Sequence, residues 1–145
     1  MFLGQYQISM DDNHRLVIPE PFREGLAQGA YITCGFEKNL LIMTEQEFQG
    51  VYQRVAGLNI ADPLARLLLR LIIGNASRLD INESGQAQIP AALLSFAGLE
   101  KNVVLVGQGN FCEAWAPAYW EKQSILLLDT VANSARFAQL NLALG

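Results

Sequence analysis

The sequence predicts an α+β fold, mainly β, in which two tandem repeats share one core and helices flank the strands. The first observation is a segment at residues 6–23 that returns in altered form at residues 77–94. The second is period-2 alternation of apolar and polar residues, which is typical of half-buried strands. The third is a length of 145 residues, which suits two small repeats that cover each other's hydrophobic faces.

The first copy begins as a β-hairpin. Ile8 and Met10 alternate with polar neighbours, and residues 16–18 are apolar again after a turn. Residues 11–14, Asp-Asp-Asn-His, suit that turn because Asp and Asn form local hydrogen bonds and tolerate positive φ. Pro19 ends the second strand, since proline cannot donate to a strand ladder, and a short helix is predicted after it.

The second copy keeps this order of elements. At a constant offset of 71 positions, the residues that stand for Ile8, Met10, Leu16, Ile18 and Pro19 are Leu79, Ile81, Ala87, Ile89 and Pro90. A strand pattern at 31–35 likewise returns at 103–107. Residues 1–73 are therefore predicted to form the first repeat with a connecting helix, and residues 74–145 the second repeat with a C-terminal helix.

Strands and a capped helix are predicted between the first hairpin and the centre of the chain. Residues 30–35 and 39–43 form apolar runs around a short polar break, which favours a second strand pair. Thr44 and Glu47 then have the spacing of a capping box, in which each side chain satisfies a free backbone N–H group of the other residue. A helix is predicted to follow.

The central helix is predicted at residues 64–73. Asp62 is its expected cap, and Pro63 suits the first helical position. Only Arg66 and Arg70 interrupt the apolar surface of this segment. We therefore expect the helix to be buried almost all round, with both arginines paired with acidic residues at a subunit interface or lining a channel.

The rest of the second copy continues with helices and strands. The predicted elements are a helix at 91–97, strands at 103–106 and 111–115, and a helix from Pro117. From Asp129 onward the chain has the pattern of one more amphipathic helix, with Phe137, Leu140 and Leu144 on one side.

The charge of the chain bears on its partners. The net charge is −4, and the first 73 residues carry six Lys or Arg against eight Asp or Glu, while the remainder carries four against six. Because non-specific nucleic-acid binding depends on neutralising phosphates, DNA binding would have to rest on a local patch. Hydrophobic residues make up 51% of the chain and charged residues 17%, which favours an oligomer that buries part of this surface.

Several functional classes find no support in the sequence. Cys34 and Cys112 lie in apolar strand segments and are expected to be buried free thiols, and one His with two Cys gives no zinc spacing. No Gly-rich phosphate loop or nucleophile elbow is present, so we expect no enzyme, cofactor, metal or small-molecule substrate. We also expect no signal peptide and no membrane span, and hence a cytoplasmic protein.

With these residues in view, the chain resembles the MraZ family of bacterial regulators, which have the AbrB-like (SpoVT-AbrB) swapped-hairpin fold. The motifs that carry the resemblance are the opening FLGQYQ, the segment MDDNHRLVIP followed by FRE, the helix ARLLLRLIIGNAS, and GLEKNVVLVGQGN. The resemblance implies two swapped-hairpin units that form a small barrel, with several chains closing into a ring-shaped octamer or dodecamer. It also implies a nucleoid-associated transcriptional repressor that binds short, G-rich direct repeats in double-stranded DNA upstream of its own division and cell-wall gene cluster.

The family signature is an Asp followed four positions later by an Arg, and in the first repeat it is Asp11 and Arg15. Asp11 would orient the guanidinium, which suits the two major-groove acceptors of guanine and also phosphate. Asn13 and His14 of the same turn are further candidates for DNA contact. His14 replaces the Gly that is usual in the family, either as a surface turn residue or as a phosphate donor. Alternatively, Asp11 and Arg15 only staple their own hairpin.

The second signature is degenerate, because Asn82 and Gln86 stand where Asp and Arg are expected, and only Gly85 is kept. We therefore expect weaker DNA binding and a shallower salt dependence, unless Arg78 or Lys101 substitutes. The alternative function is an oligomeric scaffold or protein-interaction module on the same fold that has lost DNA binding.

Arg23, in the short helix after the first hairpin, is a candidate for a structural salt bridge or for DNA contact, and the salt bridge is the favoured expectation. The predicted partner is Glu20 or Glu24.

Overall fold

The computed structural model describes residues 1–142. The strands are β1 (Gln5–Ser9), β2 (Arg15–Val17), β3 (Ala30–Cys34), β4 (Leu40–Thr44), β5 (Ser77–Leu79), β6 (Gln86–Gln88), β7 (Asn102–Gly107) and β8 (Phe111–Trp115). The helices are α1 (Glu20–Leu26), α2 (Glu45–Ala56), α3 (Pro63–Ile72), α4 (Ala91–Ala97), α5 (Pro117–Leu128) and α6 (Thr130–Ala138). This order confirms the mainly β, α+β class with flanking helices.

The two halves of the chain exchange strands. The main sheet is antiparallel and has the order β1-β7-β8-β4-β3-β5, while β2 and β6 pair as a separate ribbon. Of these pairings, only β3 with β4 and β7 with β8 stay within one half. Pairing of β1 with β7, of β2 with β6, of β3 with β5 and of β4 with β8 joins the first half to the second. Each half therefore completes the sheet of the other, as expected of a tandem repeat of swapped hairpins.

The main sheet is not closed by hydrogen bonds between its first and last strands, so the units that were expected to form a small barrel form an open sheet. Strands β1 and β5 are its two edges. Each continues into the ribbon through a tight turn, and a single bridge closes each turn, Met10 to Leu16 in the first half and Ile81 to Ala87 in the second. Because the ribbon strands leave the sheet directly after these turns, the result is an open six-stranded sheet beside a two-stranded ribbon.

One hydrophobic core lies between the sheet, the ribbon and helices α1 and α4. Leu16 and Ala87, which face each other across the ribbon, are both fully buried in it. Ile18 and Ile89, at repeat-equivalent positions after the ribbon strands, are buried beside them. The apolar positions that the repeat pattern singled out in the hairpins thus line a single shared interior.

Helix starts follow the predicted caps. The Thr44 hydroxyl accepts the N–H of Glu47 at 3.1 Å and begins α2, which is one of the two bonds of the predicted capping box. The Asp62 carboxylate accepts the N–H of Leu64 at 2.9 Å and begins α3. In each case the cap satisfies an N–H group that has no partner within the helix.

Helix α3 differs from the expectation that it is buried almost all round. Leu64 and Leu67 are 70% and 61% exposed, and only Ala65 and Ile72 are buried. The reason is that α3 packs along one side, against α2 and β3. Its opposite side therefore leaves Leu64 and Leu67 on the surface of the chain. Arg66, on the same helix, donates to the Ile60 and Ala61 carbonyls at 2.8 and 3.1 Å.

The C-terminal segment forms two consecutive helices. Asp129 separates α5 from α6, and its carboxylate accepts the N–H of Ala132 at 3.1 Å, which begins α6. Phe137 and Leu140 are exposed. Leu144, predicted to share their side of the helix, lies outside the described residues.

The two cysteines are buried free thiols, as predicted. Burial raises the pKa of the Cys112 thiol to about 12, and it also raises the pKa of Cys34. Both thiols therefore stay protonated at neutral pH and pack as small apolar groups. In residues 1–142 no helix is long and apolar enough to cross a membrane.

Candidate nucleic-acid interface

The first turn is organised by the carboxylate of Asp11. Its Oδ1 accepts the backbone N–H groups of Asn13 and Arg15 at 2.9 and 3.0 Å, and its Oδ2 accepts Nε of Arg15 at 2.9 Å. These bonds, first of all the one from the Arg15 backbone, lower the pKa of Asp11, although partial desolvation opposes them. The carboxylate is therefore ionised at neutral pH, when it holds both the backbone and the guanidinium of Arg15.

Arg15 keeps part of its side chain open to solvent while it is oriented. The side chain is 38% exposed, and only its Nε is bonded to Asp11. Its two terminal amino groups have no hydrogen-bond partner in the part of the chain that the structure describes. Two donors on a rigid planar group can address either a guanine edge or a phosphate. Because the ion pair is partly exposed, its main effect is orientation rather than stability.

His14 has a left-handed backbone, with φ of 59°. Its N–H donates to the Asp11 carbonyl at 3.0 Å, which closes the turn. At the equivalent place in the second turn, Gly85 has φ of 76°. The turn therefore requires a positive φ at this position. Glycine adopts this conformation without strain, which explains why it is usual here in the family that the chain resembles, whereas His14 adopts it with strain. Both Asn13 and His14 are exposed at the tip.

The second turn repeats this hydrogen-bond pattern with neutral side chains. The Asn82 Oδ1 accepts the N–H groups of Ser84 and Gln86 at 3.0 and 2.9 Å. The Asn82 Nδ2 donates to Gln86 Oε1 at 3.3 Å, where the first turn has its ion pair. The backbone geometry of the turn is thus preserved, while both charges of the signature are lost.

The ribbon brings the two turns onto one surface. Arg15 lies opposite Gln88, and Val17 lies opposite Gln86, so these four side chains share the outer face of the ribbon. Side chains also cross between the turns, because Gln88 Nε2 donates to the Asn13 carbonyl at 2.8 Å and Gln86 Nε2 approaches Asp11 Oδ2 at 3.5 Å. The predicted site residues of both signatures therefore form one continuous polar surface.

The two cations considered as substitutes for the missing Arg make other contacts in the structure. Arg78 is bonded to Asp80 at 3.3 Å, and its guanidinium carbon lies 5.9 Å from the centre of the Tyr31 ring. Lys101 borders a cleft together with Asp11 and His14. It therefore lies beside the first turn, which already has Arg15, and not beside the second.

Arg23 does not form the predicted salt bridge with Glu20 or Glu24 in the described residues. Its Nε instead donates to the carbonyl of Ile18 at 2.8 Å. Its guanidinium lies against Gly85 of the second turn, where an added Cβ would overlap it. Sequence reasoning missed this contact because the two residues are far apart in the chain and in different repeats. One signal was available, since Gly85 is the turn glycine that the second signature retains.

A metal centre would need several ligands close together. Within residues 1–142, no group of three or more His, Cys, Asp or Glu side chains is placed to hold a metal ion.

The chain matches a known protein family along most of its length. A family model described as "MraZ protein, putative antitoxin-like" matches the chain twice, at residues 1–71 and 72–139. The transcriptional regulator MraZ of Herpetosiphon aurantiacus is 36% identical, with 93% of this chain and 92% of the relative covered. The transcriptional regulator MraZ of Roseiflexus sp. is 34% identical, with 96% and 95% covered, and that of Thermomicrobium roseum is 33% identical, with 88% and 89% covered. These matches confirm the resemblance, and the chain belongs to the MraZ family.

Proposed function

We propose that this protein is a sequence-specific, DNA-binding transcriptional regulator, and that the turn at residues 11–15 is its principal contact element. The observation that carries the proposal is the pairing of Asp11 with Arg15, which fixes a partly exposed guanidinium beside the turn of a hairpin. The names of the relatives, which are transcriptional regulators, support the same function. The net charge of −4 fits a protein that reads a local site rather than binding DNA everywhere.

In this function the guanidinium of Arg15 donates two hydrogen bonds to the O6 and N7 atoms of a guanine in the major groove. Such a bidentate contact discriminates against other bases by about 1–3 kcal/mol. Asn13 and His14 are exposed at the tip of the same turn, and in this function they would contact the flanking phosphates. The neutral amides of Asn82 and Gln86 add hydrogen bonds but no charge to the same surface.

We further propose that several copies form a ring, an octamer or dodecamer, that binds short direct repeats upstream of its own division and cell-wall gene cluster and represses it. Exposed apolar side chains on α3, such as Leu64 and Leu67, support association, because such groups gain free energy when another subunit covers them. A ring would present one hairpin tip per subunit to successive DNA repeats. Linked weak sites gain affinity through effective concentration, which would offset the loss of charge at the second turn. The ring would act at the nucleoid, in the cytoplasm.

The proposal is tested by electrophoretic mobility shift with a duplex of the protein's own upstream region. The wild-type protein should retard this duplex at low salt, and Arg15→Ala should abolish the shift. Arg54→Ala is the matched control, because Arg54 is an exposed arginine of α2 outside both turns. It should leave the shift unchanged. Failure of the wild-type protein to bind this duplex at low salt would refute the proposal.

The second candidate function is an oligomeric scaffold that has lost DNA binding. The observation in its favour is the neutral pair Asn82 and Gln86, which halves the number of signature arginines in each subunit. It would be supported if the wild-type protein assembled normally, as measured by light scattering, yet ignored the duplex.

A further inference from the structure

Arg23 is held in a fixed position beside the second turn. Its side chain is half-buried, and its Nε donates to the Ile18 carbonyl at 2.8 Å. The plane of its guanidinium lies so close to Gly85 that a Cβ there would overlap the guanidinium carbon and Nε. The terminal amino groups of Arg23 have no hydrogen-bond partner among residues 1–142. The Nε atom therefore fixes the position of the Arg23 side chain, while its terminal amino groups are available to donate hydrogen bonds to a ligand.

Repeat symmetry shows that this contact is particular to the second turn. With the offset of 71, position 23 corresponds to Leu94, and Gly85 corresponds to His14. The chain thus has Arg with Gly at one turn and Leu with His at the other. Only a glycine leaves room for a guanidinium against the turn. The turn that Arg23 contacts has this glycine, Gly85, whereas the other turn has His14. The first repeat therefore supplies a cation to the turn of the second.

Arg23 brings a positive charge to the second turn, whose own signature residues are uncharged. Asn82 and Gln86 are neutral, and the turn that they form contacts Arg23 through Gly85. Arg23 also lines an open groove of about 720 Å³ together with Val17 of the ribbon and Ser9 of β1. Its side chain therefore borders solvent-accessible space and is not enclosed by the core.

We propose that Arg23 is the DNA-contacting cation of the second turn, where it donates its terminal amino groups to a backbone phosphate. This inference rests on the proposed function. A phosphate is the target because the anchored side chain ends beside the turn and does not project from its tip, and phosphate contacts position a protein without reading sequence. Each subunit then contributes one arginine at each turn, Arg15 for base readout and Arg23 for the phosphate.

The test is the salt dependence of binding to a duplex of the protein's own upstream region, measured by fluorescence anisotropy. Arg23→Gln should reduce the slope of log Kd against log salt concentration by about 0.9 for each subunit bound to the DNA, as expected for one lost phosphate contact. Discrimination against a duplex with altered repeats should stay as in the wild type. Arg54→Gln is the matched control, since it also removes one positive charge, and its slope should equal that of the wild type.

Arg23→Lys separates charge from packing. Lysine keeps the charge but has no Nε–H to donate to Ile18, so the slope should stay near the wild-type value if charge is what matters. Thermal melting shows whether each variant is folded. An unchanged slope in a folded Arg23→Gln protein would overturn the inference.

A measurement on the wild-type protein covers the case in which these variants unfold. Phenylglyoxal modifies accessible arginines, and the duplex should protect Arg23 as well as Arg15 from it. Equal modification of Arg23 with and without DNA would overturn the inference. If the wild-type protein did not bind the duplex at all, the proposed function itself would fail, which is a different result from binding with Arg23 unprotected.

Discussion

Asp11 and Asn82 hold equivalent positions in the two turns and accept the equivalent pair of backbone N–H groups, at 2.9 and 3.0 Å in the first turn and at 3.0 and 2.9 Å in the second. An amide oxygen thus serves the backbone of the turn as well as a carboxylate does. What the amide cannot do is orient a guanidinium by charge, and the second turn has Gln86 in place of an arginine. The two turns of one chain therefore separate the structural role of the signature from its electrostatic role.

The first prediction concerns restoration of the second signature. The double variant Asn82→Asp with Gln86→Arg should bind the upstream duplex more tightly, because it restores at the second turn the paired guanidinium that contacts a guanine at the first. Titrations by fluorescence anisotropy measure the affinity. Asn82→Asp alone adds only a negative charge, so it should weaken binding. A double variant that binds no better than the wild type would contradict a role of this turn in DNA contact.

The second prediction concerns the backbone of the turns. Gly85→Ala should lower the free energy of unfolding by about 2 kcal/mol, because an L-residue with positive φ is strained and its Cβ would displace Arg23. His14→Ala is the matched control at the equivalent position. It exchanges one strained L-residue for another and should change stability by less than about 0.5 kcal/mol. Urea denaturation followed by circular dichroism gives both values, and equal effects at the two positions would disprove this account.

The third prediction concerns the ribbon. Leu16→Ala should lower the free energy of unfolding by about 2–5 kcal/mol, because Leu16 is fully buried at the junction of the two halves. The midpoint of urea denaturation is the measurement. Val17→Ala, on the outer face of the same strand, should cost distinctly less because Val17 is only half-buried. A small loss at Leu16 would mean that the ribbon is not part of the shared core.

The fourth prediction concerns pH. The pKa of Asp11 is lowered on folding, so the carboxylate stabilises the folded state above its unfolded pKa of about 3.9. This contribution is lost as the pH falls through the lower folded pKa. Carbon-13 NMR titration of the carboxyl group should give a midpoint below that of an unfolded Asp. In Arg15→Gln the midpoint should rise but stay lowered, because the backbone N–H of residue 15 is the largest cause of the shift. A midpoint at the unfolded value would contradict the hydrogen-bond pattern.

The hairpins could be predicted from the sequence because their signals are local. Alternation before and after residues 11–14, and Pro19 after the second strand, depend only on neighbouring residues. The repeat offset added one long-range fact, the equivalence of Leu16 and Ala87, and these residues meet in the core. For the strands and turns, local pattern and tertiary structure therefore agree.

Arg23 and α3 show where sequence reasoning ends. Glu20 and Glu24 are close to Arg23 in sequence and suggested a local ion pair, whereas its actual neighbour is a turn of the other repeat. The apolar surface of α3 indicated that the helix is buried, but it did not indicate which part of the protein covers it. In one chain only one side of the helix is covered, because the sheet offers a single surface to pack against.

The exchange of strands between the halves also dictates the order of events during synthesis. When only the first 73 residues have left the ribosome, β1 lacks β7, and β2 lacks β6. The nascent first half must therefore wait with its apolar hairpin unpaired until residues 86–107 have been translated, and its native pairing cannot be complete before then.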